Sequence, residues 1–346
     1  MRLLVSAFVL LASFAIAPAR WNFALPAGTS FSYPPLRLHS PALCGASGIE
    51  FRFSDFEFLP ARPSQVTGLP AVALAEAGHG PLTQEQVRAL VARVIRNQHR
   101  DDAALYEFER IEHRISYRDS SVASDETYRI VPTGTGRLSL LVARGSQPVS
   151  LARYQKELRL WESALENALH PSDPAQQRVV ALRQRRDRER AQLIDAIGRA
   201  FRFTWLGEQK VNGRALAHLA LEPNPSFQPA SRKEEMLRHV RADVWIDERA
   251  AQLVRGKAVI ASDVPVAGGL LAEIYAGGWF RLEQSEAAPG VLLPASEEYS
   301  VRGRRIFFPY TEHKLTETSG YRRLGGPAQA LEVVRKELAS GKPFAL

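Results

Sequence analysis

Catalysis and metal binding leave spacing signatures in a sequence, and the polar residues of this chain fall into none of them. There are eight histidines and one cysteine, with no two histidines at helical spacing and no paired cysteines, so the common zinc patterns are missing. The nearest approach is Glu109, Glu112 and His113, but on a strand Glu112 points away from the other two. No serine sits in a G-x-S-x-G elbow. The stretch "PTGTGR" is glycine-rich, yet it has neither the lysine nor the following helix of a phosphate loop. Glu297 and Glu298 are strand neighbours and face opposite ways, so an acid-base pair would have to be assembled from distant strands. The expectation is a binding protein, not an enzyme, without metal or cofactor.

Two residue sets suit binding. The first is basic: "RQRRDRERAQ" places Arg183, Arg185, Arg186 and Arg188 among only two acids, an anionic-contact candidate whose plain alternative is a solvated helix face laced with ion pairs. The second is aromatic: Phe201, Phe203, Trp205, Trp245 and Phe280 would line a concave sheet, with an ordinary filled core as the alternative. His218 reads as a hydrogen-bonded core or rim histidine.

These residues need elements to position them. Residues 1–19 have the basic, apolar and small-residue regions of a secretory signal, so the protein is expected to be exported and periplasmic or cell-envelope associated. The single Cys44 follows Leu43 where a lipidation motif needs a small residue, and it has no internal disulfide partner. Export turns the net charge of +8 away from nucleic acid and toward anionic lipid head groups or acidic partners, as a peripheral contact. Residues 20–80 hold many prolines and no helical period, and read as a linker or loosely ordered segment.

At Leu82 the pattern changes. Thr83 with Gln86 makes a capping box, and Val87, Leu90, Val91, Val94 and Ile95 give one apolar helix face. Strand-like runs follow, and Leu138–Val142 is apolar on both faces, as in a sheet covered on both sides. Within 150–199, Ser150 caps a helix whose Leu151, Tyr154, Leu158, Trp161, Leu165 and Ala168 form a helix-pairing seam, and after "HPSDP" a second helix from about Ala175 to Arg199 offers Val179, Leu182, Leu193 and Ile197. The economical reading is an inserted helical hairpin. From Phe201 to Arg323 the pattern is all strand. The Asn212-Gly213 turn sets Val211 opposite Arg214, Gln209 opposite Leu216, Gly207 opposite His218 and Trp205 opposite Ala220. A short helix, Ala328 to Ala339, closes the chain.

The order of elements, with "WLGEQKVNGRALAHLALEPNP", "VRADVWIDERAAQLVR", "GGWFRLEQ", "GVLLPASEEYSVRGRRIFFPY" and a closing "YRR", resembles the LolA-like superfamily of outer-membrane lipoprotein-sorting proteins. The resemblance covers residues 82 to 323. It implies an α+β fold: a strongly curved antiparallel sheet, an unclosed β-barrel with helices on its concave face, spanning residues 81–324, with 325–346 as a C-terminal helix and tail. It also implies a lipid or acylated protein as ligand, or, in sensor-like members, an envelope protein partner.

Overall fold

The computed structural model describes residues 80–342, apart from 119, 134–135, 171–173, 212–213, 267–271 and 307. The expected signal and nearly all of the Pro-rich segment lie outside the described residues, as does the Asn212-Gly213 turn itself.

Among the described residues five α-helices accompany one sheet. They are α1 (Gln84–Ala104), α2 (Leu151–Ala168), α3 (Pro174–Ala200), the single turn α4 (Arg232–Glu235) and α5 (Pro327–Ser340). The first meander is β1 (Phe108–Arg118), β2 (Ser121–Pro132), β3 (Arg137–Arg144) and β4 (Gln147–Pro148). The second is β5 (Phe201–Val211), β6 (Arg214–Pro223), β7 (Val240–Asp247) and β8 (Gln252–Ile260). Then come the short β9 (Val264–Val266) and β10 (Ala272–Ile274), and the long β11 (Trp279–Ala288), β12 (Val291–Arg305) and β13 (Phe308–Arg323). The strands form one antiparallel sheet in the order β4-β3-β2-β1-β13-β12-β11-β8-β7-β6-β5, with β10 and β9 added beside β12. β4 and β5 are its two edges, so the sheet stays open. Each meander is local in sequence, while the β1–β13 pairing, which sets Phe108 opposite Arg323, joins the two ends of the described chain.

The two ends of the sheet are buried on opposite faces. Following cross-strand partners, Leu219, Val244, Gly256, Leu282, Glu297, Thr316, Arg114 and Glu126 share one face. On that face, over β5–β8 and β11–β12, lies the larger core. It takes Val87, Leu90, Val91 and Val94 from α1 and Leu193, Ile194 and Ile197 from α3. The second core lies on the other face, over β2–β3, where Val131, Leu138, Leu140 and Val142 meet Tyr154, Leu158, Trp161 and Leu165 of α2 and Ala330, Leu331 and Val334 of α5. The segment 150–199 therefore does form two helices, but not a hairpin packed on itself. The seam of α2 is filled by α5, and α3 packs on α1.

Local signals explain most boundaries. Thr83 Oγ1 accepts from Gln86 N–H at 3.3 Å and Gln86 Oε1 accepts from Thr83 N–H at 2.8 Å, a reciprocal cap for α1. Ser150 caps α2. At the β7–β8 turn Asp247 Oδ1 accepts from Ala250 N–H at 2.9 Å, and Asn97 of α1 donates to the carbonyls of Ala250 and Ala251. That turn is architecture: it docks α1 onto the sheet.

The expected β5–β6 register holds from Val211–Arg214 through Gly207–His218, then slips. Gly207, at φ +136°, begins a bulge that leaves Leu206 unpaired and sets Trp205 opposite Leu219 instead of Ala220. A conformation at that φ suits glycine alone. The slip turns Phe203 and Trp205 onto the core face with Ala217, Leu219 and Leu221.

Candidate functional site

α3 changes character half-way. From Leu193 on, Leu193, Ile194, Ala196, Ile197 and Ala200 are buried in the larger core. Before Arg190 no described side chain anchors it comparably: Val179 and Leu182 are 52% and 57% exposed, and arginines occupy 178, 183, 185, 186 and 188. This N-terminal half presents its aliphatic side chains to solvent as an exposed ridge.

The four arginines singled out from sequence do different things. Arg183 turns inward, its guanidinium 3.6 Å from the Tyr106 ring centroid and its Nε donating to Asp187 at 3.2 Å. Arg185 Nε donates to Glu189 at 3.0 Å, and Lys233 donates to the same carboxylate at 2.6 Å. Those two hydrogen bonds, Lys233 first, hold the Glu189 carboxyl below its usual range. Arg186 and Arg188 are exposed. Arg178, Ala181, Leu182, Arg185 and Arg188 lie together on one open face of the helix. The spacing 178, 181/182, 185, 188 is one helical stripe, so cations and apolar carbons share a single surface.

A cleft of about 670 Å³ opens on the other side of α3, against the end of α1 and the end of β13. Its carboxylates are all engaged. Asp102 accepts from Arg190 Nε and Gln98 Nε2, both at 2.9 Å. Asp187 takes Arg183 and the Tyr106 hydroxyl, the latter at 3.4 Å, and Glu107 accepts from Arg323 Nε at 2.7 Å. One donor remains: Arg190 Nη2 is buried with no hydrogen-bond partner among the described residues. A buried guanidinium N–H left unpaired is costly and calls for an acceptor. Arg190 was not singled out from sequence, although its signal is there. It stands four residues before buried Ile194, where the exposed half of α3 becomes the packed half.

The aromatic set is divided by the sheet. Phe201, Phe203 and Phe280 are buried in the larger core with Trp205 packed against it, and Phe280 stacks on Tyr299 with centroids 5.8 Å apart. Trp245 lies on the opposite face. It stacks on His218 at 4.4 Å and donates from Nε1 to Gln209 at 2.8 Å, while His218 Nε2 pairs with Asp243 Oδ1 at 2.9 Å. Trp245 therefore shares no cavity with the three phenylalanines. His113 faces Asp125 and Glu317, while Glu112 bonds Arg110 and Arg114 on the other face.

No protein-family model matches the chain, and no curated protein matches it. Among solved structures the chain is similar to a LolA superfamily protein from Nitrosomonas europaea, at 11% identity, TM-score 0.28, over 70% of this chain and 93% of that one. It is similar also to a putative outer membrane lipoprotein-sorting protein domain from Vibrio parahaemolyticus, at 9% identity, TM-score 0.28, over 71% and 99%. A third is a DUF1329 family protein from Desulfovibrio piger, at 11% identity, TM-score 0.25, over 69% and 93%.

Proposed function

We propose that this protein is a docking module of the cell envelope that captures an acidic, amphipathic segment of a protein partner on the ridge of α3. The observation that carries it is the joint exposure of Leu182 and Val179 with Arg178, Arg185 and Arg188 on the half of α3 that the fold leaves unburied. Exposed aliphatic carbons on a ridge suit a partner with its own apolar stripe, and the arginines select acids beside that stripe. The second binding element is the adjoining cleft, where a partner carboxylate would accept from Arg190 Nη2.

A lipid carrier is the other reading of an open sheet with helices on its inner face. It calls for room beneath the helices, and Phe201, Phe203 and Phe280 there lie in one core with Val87, Val94, Ile194 and Ile197. An acyl chain would have to displace α1 or α3 from that core. Native mass spectrometry with lipid extraction of protein purified from its own envelope separates the two: docking expects an empty protein, and one lipid bound per chain would favour the carrier. For docking itself the probe is a labelled peptide alternating glutamate and leucine at helical spacing. Its fluorescence anisotropy should rise with the wild-type chain, and R185E/R188E should abolish the rise. Equal binding by both proteins would end the proposal, and flotation of wild type but not R185E/R188E with anionic vesicles would transfer the ridge to a membrane.

A further inference from the structure

The β1–β13 seam is where the strands under the second core meet the strands under the larger one, and its two faces hold charge by different means. On one face Glu112 accepts from Arg110 Nε at 2.8 Å and from Arg114 Nη2 at 2.5 Å, and guanidinium groups keep their proton at any ordinary pH. On the other face the seam carries histidines. His113 of β1 stands opposite Glu317 of β13 and Tyr117 opposite His313, with Ile115 opposite Leu315 between them. His313 stacks on Tyr117 with ring centroids 4.4 Å apart, and its Nε2 lies 3.0 Å from Glu298 Oε1 of β12.

His113 meets a carboxylate at each ring nitrogen. Its Nε2 lies 2.7 Å from Asp125 Oδ1 of β2, and its Nδ1 lies 3.3 Å from Glu317 Oε2 of β13. A neutral imidazole has one N–H and one lone pair, so it can donate to one of these acids and must turn its lone pair on the other. Only the imidazolium donates to both. The hydrogen bond to Asp125, then the one to Glu317 and the charge of both acids, raise its pKa above the 6.5 of a free side chain, against an opposing effect of burial. These two carboxylates are the charged groups that act on it. Its other neighbours on that face are Thr127 across β2 and Ile115 and Leu315 along the seam, while Glu298, one strand further, is taken by His313 and by Arg281 at 3.6 Å. The side chains of His113, Asp125 and Glu317 are 35%, 37% and 59% exposed, so bulk protons and salt reach them.

We infer that His113 is a proton-operated clasp on the β1–β13 seam: charged, it holds β2 and β13 to β1 at once, and neutral, it lets one of them go. A group whose pKa is raised by folding contributes stability that is complete below 6.5 and is lost as pH rises through the folded-state value. Over that window Glu112 keeps its arginines on the opposite face, so the seam loosens on one face while its strands stay paired. The clasp therefore sets how firmly the α2–α5 end of the sheet is held to the α1–α3 end near neutral pH. It acts without unfolding either core.

The test uses the full chain with isotope-labelled histidine rings, the His113 signal being assigned by its loss in H113Q. Its titration midpoint by NMR should lie above 6.5 in the wild-type chain and should fall toward that value in D125N/E317Q and at high salt. A wild-type midpoint at or below 6.5 would overturn the clasp, and that measurement needs no variant to fold. Backbone amide exchange, corrected for its intrinsic pH dependence, should quicken severalfold along β1 and β13 between about pH 6 and about pH 8.5, a span that brackets the titration of a raised histidine. The change should disappear in D125N/E317Q and persist in H218Q, whose imidazole pairs with Asp243 far along the sheet. An equal change in the wild-type chain and D125N/E317Q, or its loss in H218Q as well, would overturn the assignment to His113.

Discussion

The two covered ends of the sheet are held by different physics. Under α1 and α3 the centre of the contact is apolar, with polar bonds such as Gln252 to Asp101 and Arg190 to Asp102 toward the end of α1, whereas under α2 and α5 it is centred on an arginine. Arg129 is 1% exposed. Its Nε donates to Glu109 at 2.6 Å and its Nη1 donates to the Tyr154 hydroxyl of α2 at 2.8 Å and to Glu337 of α5. Glu337 also accepts from Tyr154, and Glu109 from Arg322 at 2.7 Å. Burying such a cluster gains little over an apolar replacement, but it admits few alternative arrangements. The polar end therefore fixes where α2 and the chain's last helix dock. The apolar end supplies cohesion, and it leaves half of α3 free.

The largest break comes from the polar end. Arg129→Met should cost about 3–5 kcal/mol, because Glu337 and the Tyr154 hydroxyl lose a buried partner, and chemical denaturation should show the loss with α2 and α5 released first by hydrogen exchange. Ile197→Ala at the apolar end should cost about 2–4 kcal/mol without releasing α5.

Acid sharpens the contrast. Burial pushes the Glu112 carboxyl up, but the charges of Arg110, Arg137 and Arg114 outweigh it and hold it at about 2, against 4.5 for a free side chain. A depressed carboxyl gives stability that is complete above about pH 4.5 and is lost as pH falls toward 2. At about 1.4 kcal/mol per unit this is about 3 kcal/mol. Glu112→Gln should be less stable at neutral pH, because it strands Arg110, and should lose less over that window in pH-dependent urea melts.

Smaller effects test the face assignments. Trp245→Phe keeps a ring on His218 but removes the bond to Gln209, a loss of about 1 kcal/mol in a denaturant melt. Since Trp245 lies on the face opposite the α1–α3 core, it should not alter binding. R185E/R188E should move the unfolding free energy by no more than about 0.5 kcal/mol, so any lost binding would come from the surface and not from misfolding.

How much of this was readable in the sequence varies by element. α1 was legible to its cap, because Thr83, Gln86 and the Val87–Ile95 face are local. The helices of 150–199 were legible as helices, but their partners were not. The Tyr154–Leu165 seam announces a helix opposite without naming it, and the one that fills it begins at Pro327. The β5–β6 register was legible as far as the two-residue turn controls it, and failed at Gly207, where a bulge depends on tertiary packing of Phe203 and Trp205. The arginines of α3 were visible as a charge run. Which of them turn inward was not, because Arg183 is drawn in by Tyr106, far away in sequence.

The most direct measurement places a photo-crosslinking amino acid at Leu182 in the protein expressed in its own envelope, with the equally exposed Leu160 of α2 as control. The expected result is one discrete protein adduct from position 182, lost in R185E/R188E and absent from position 160. No protein adduct at 182, or the same adducts from both positions, would contradict docking through α3.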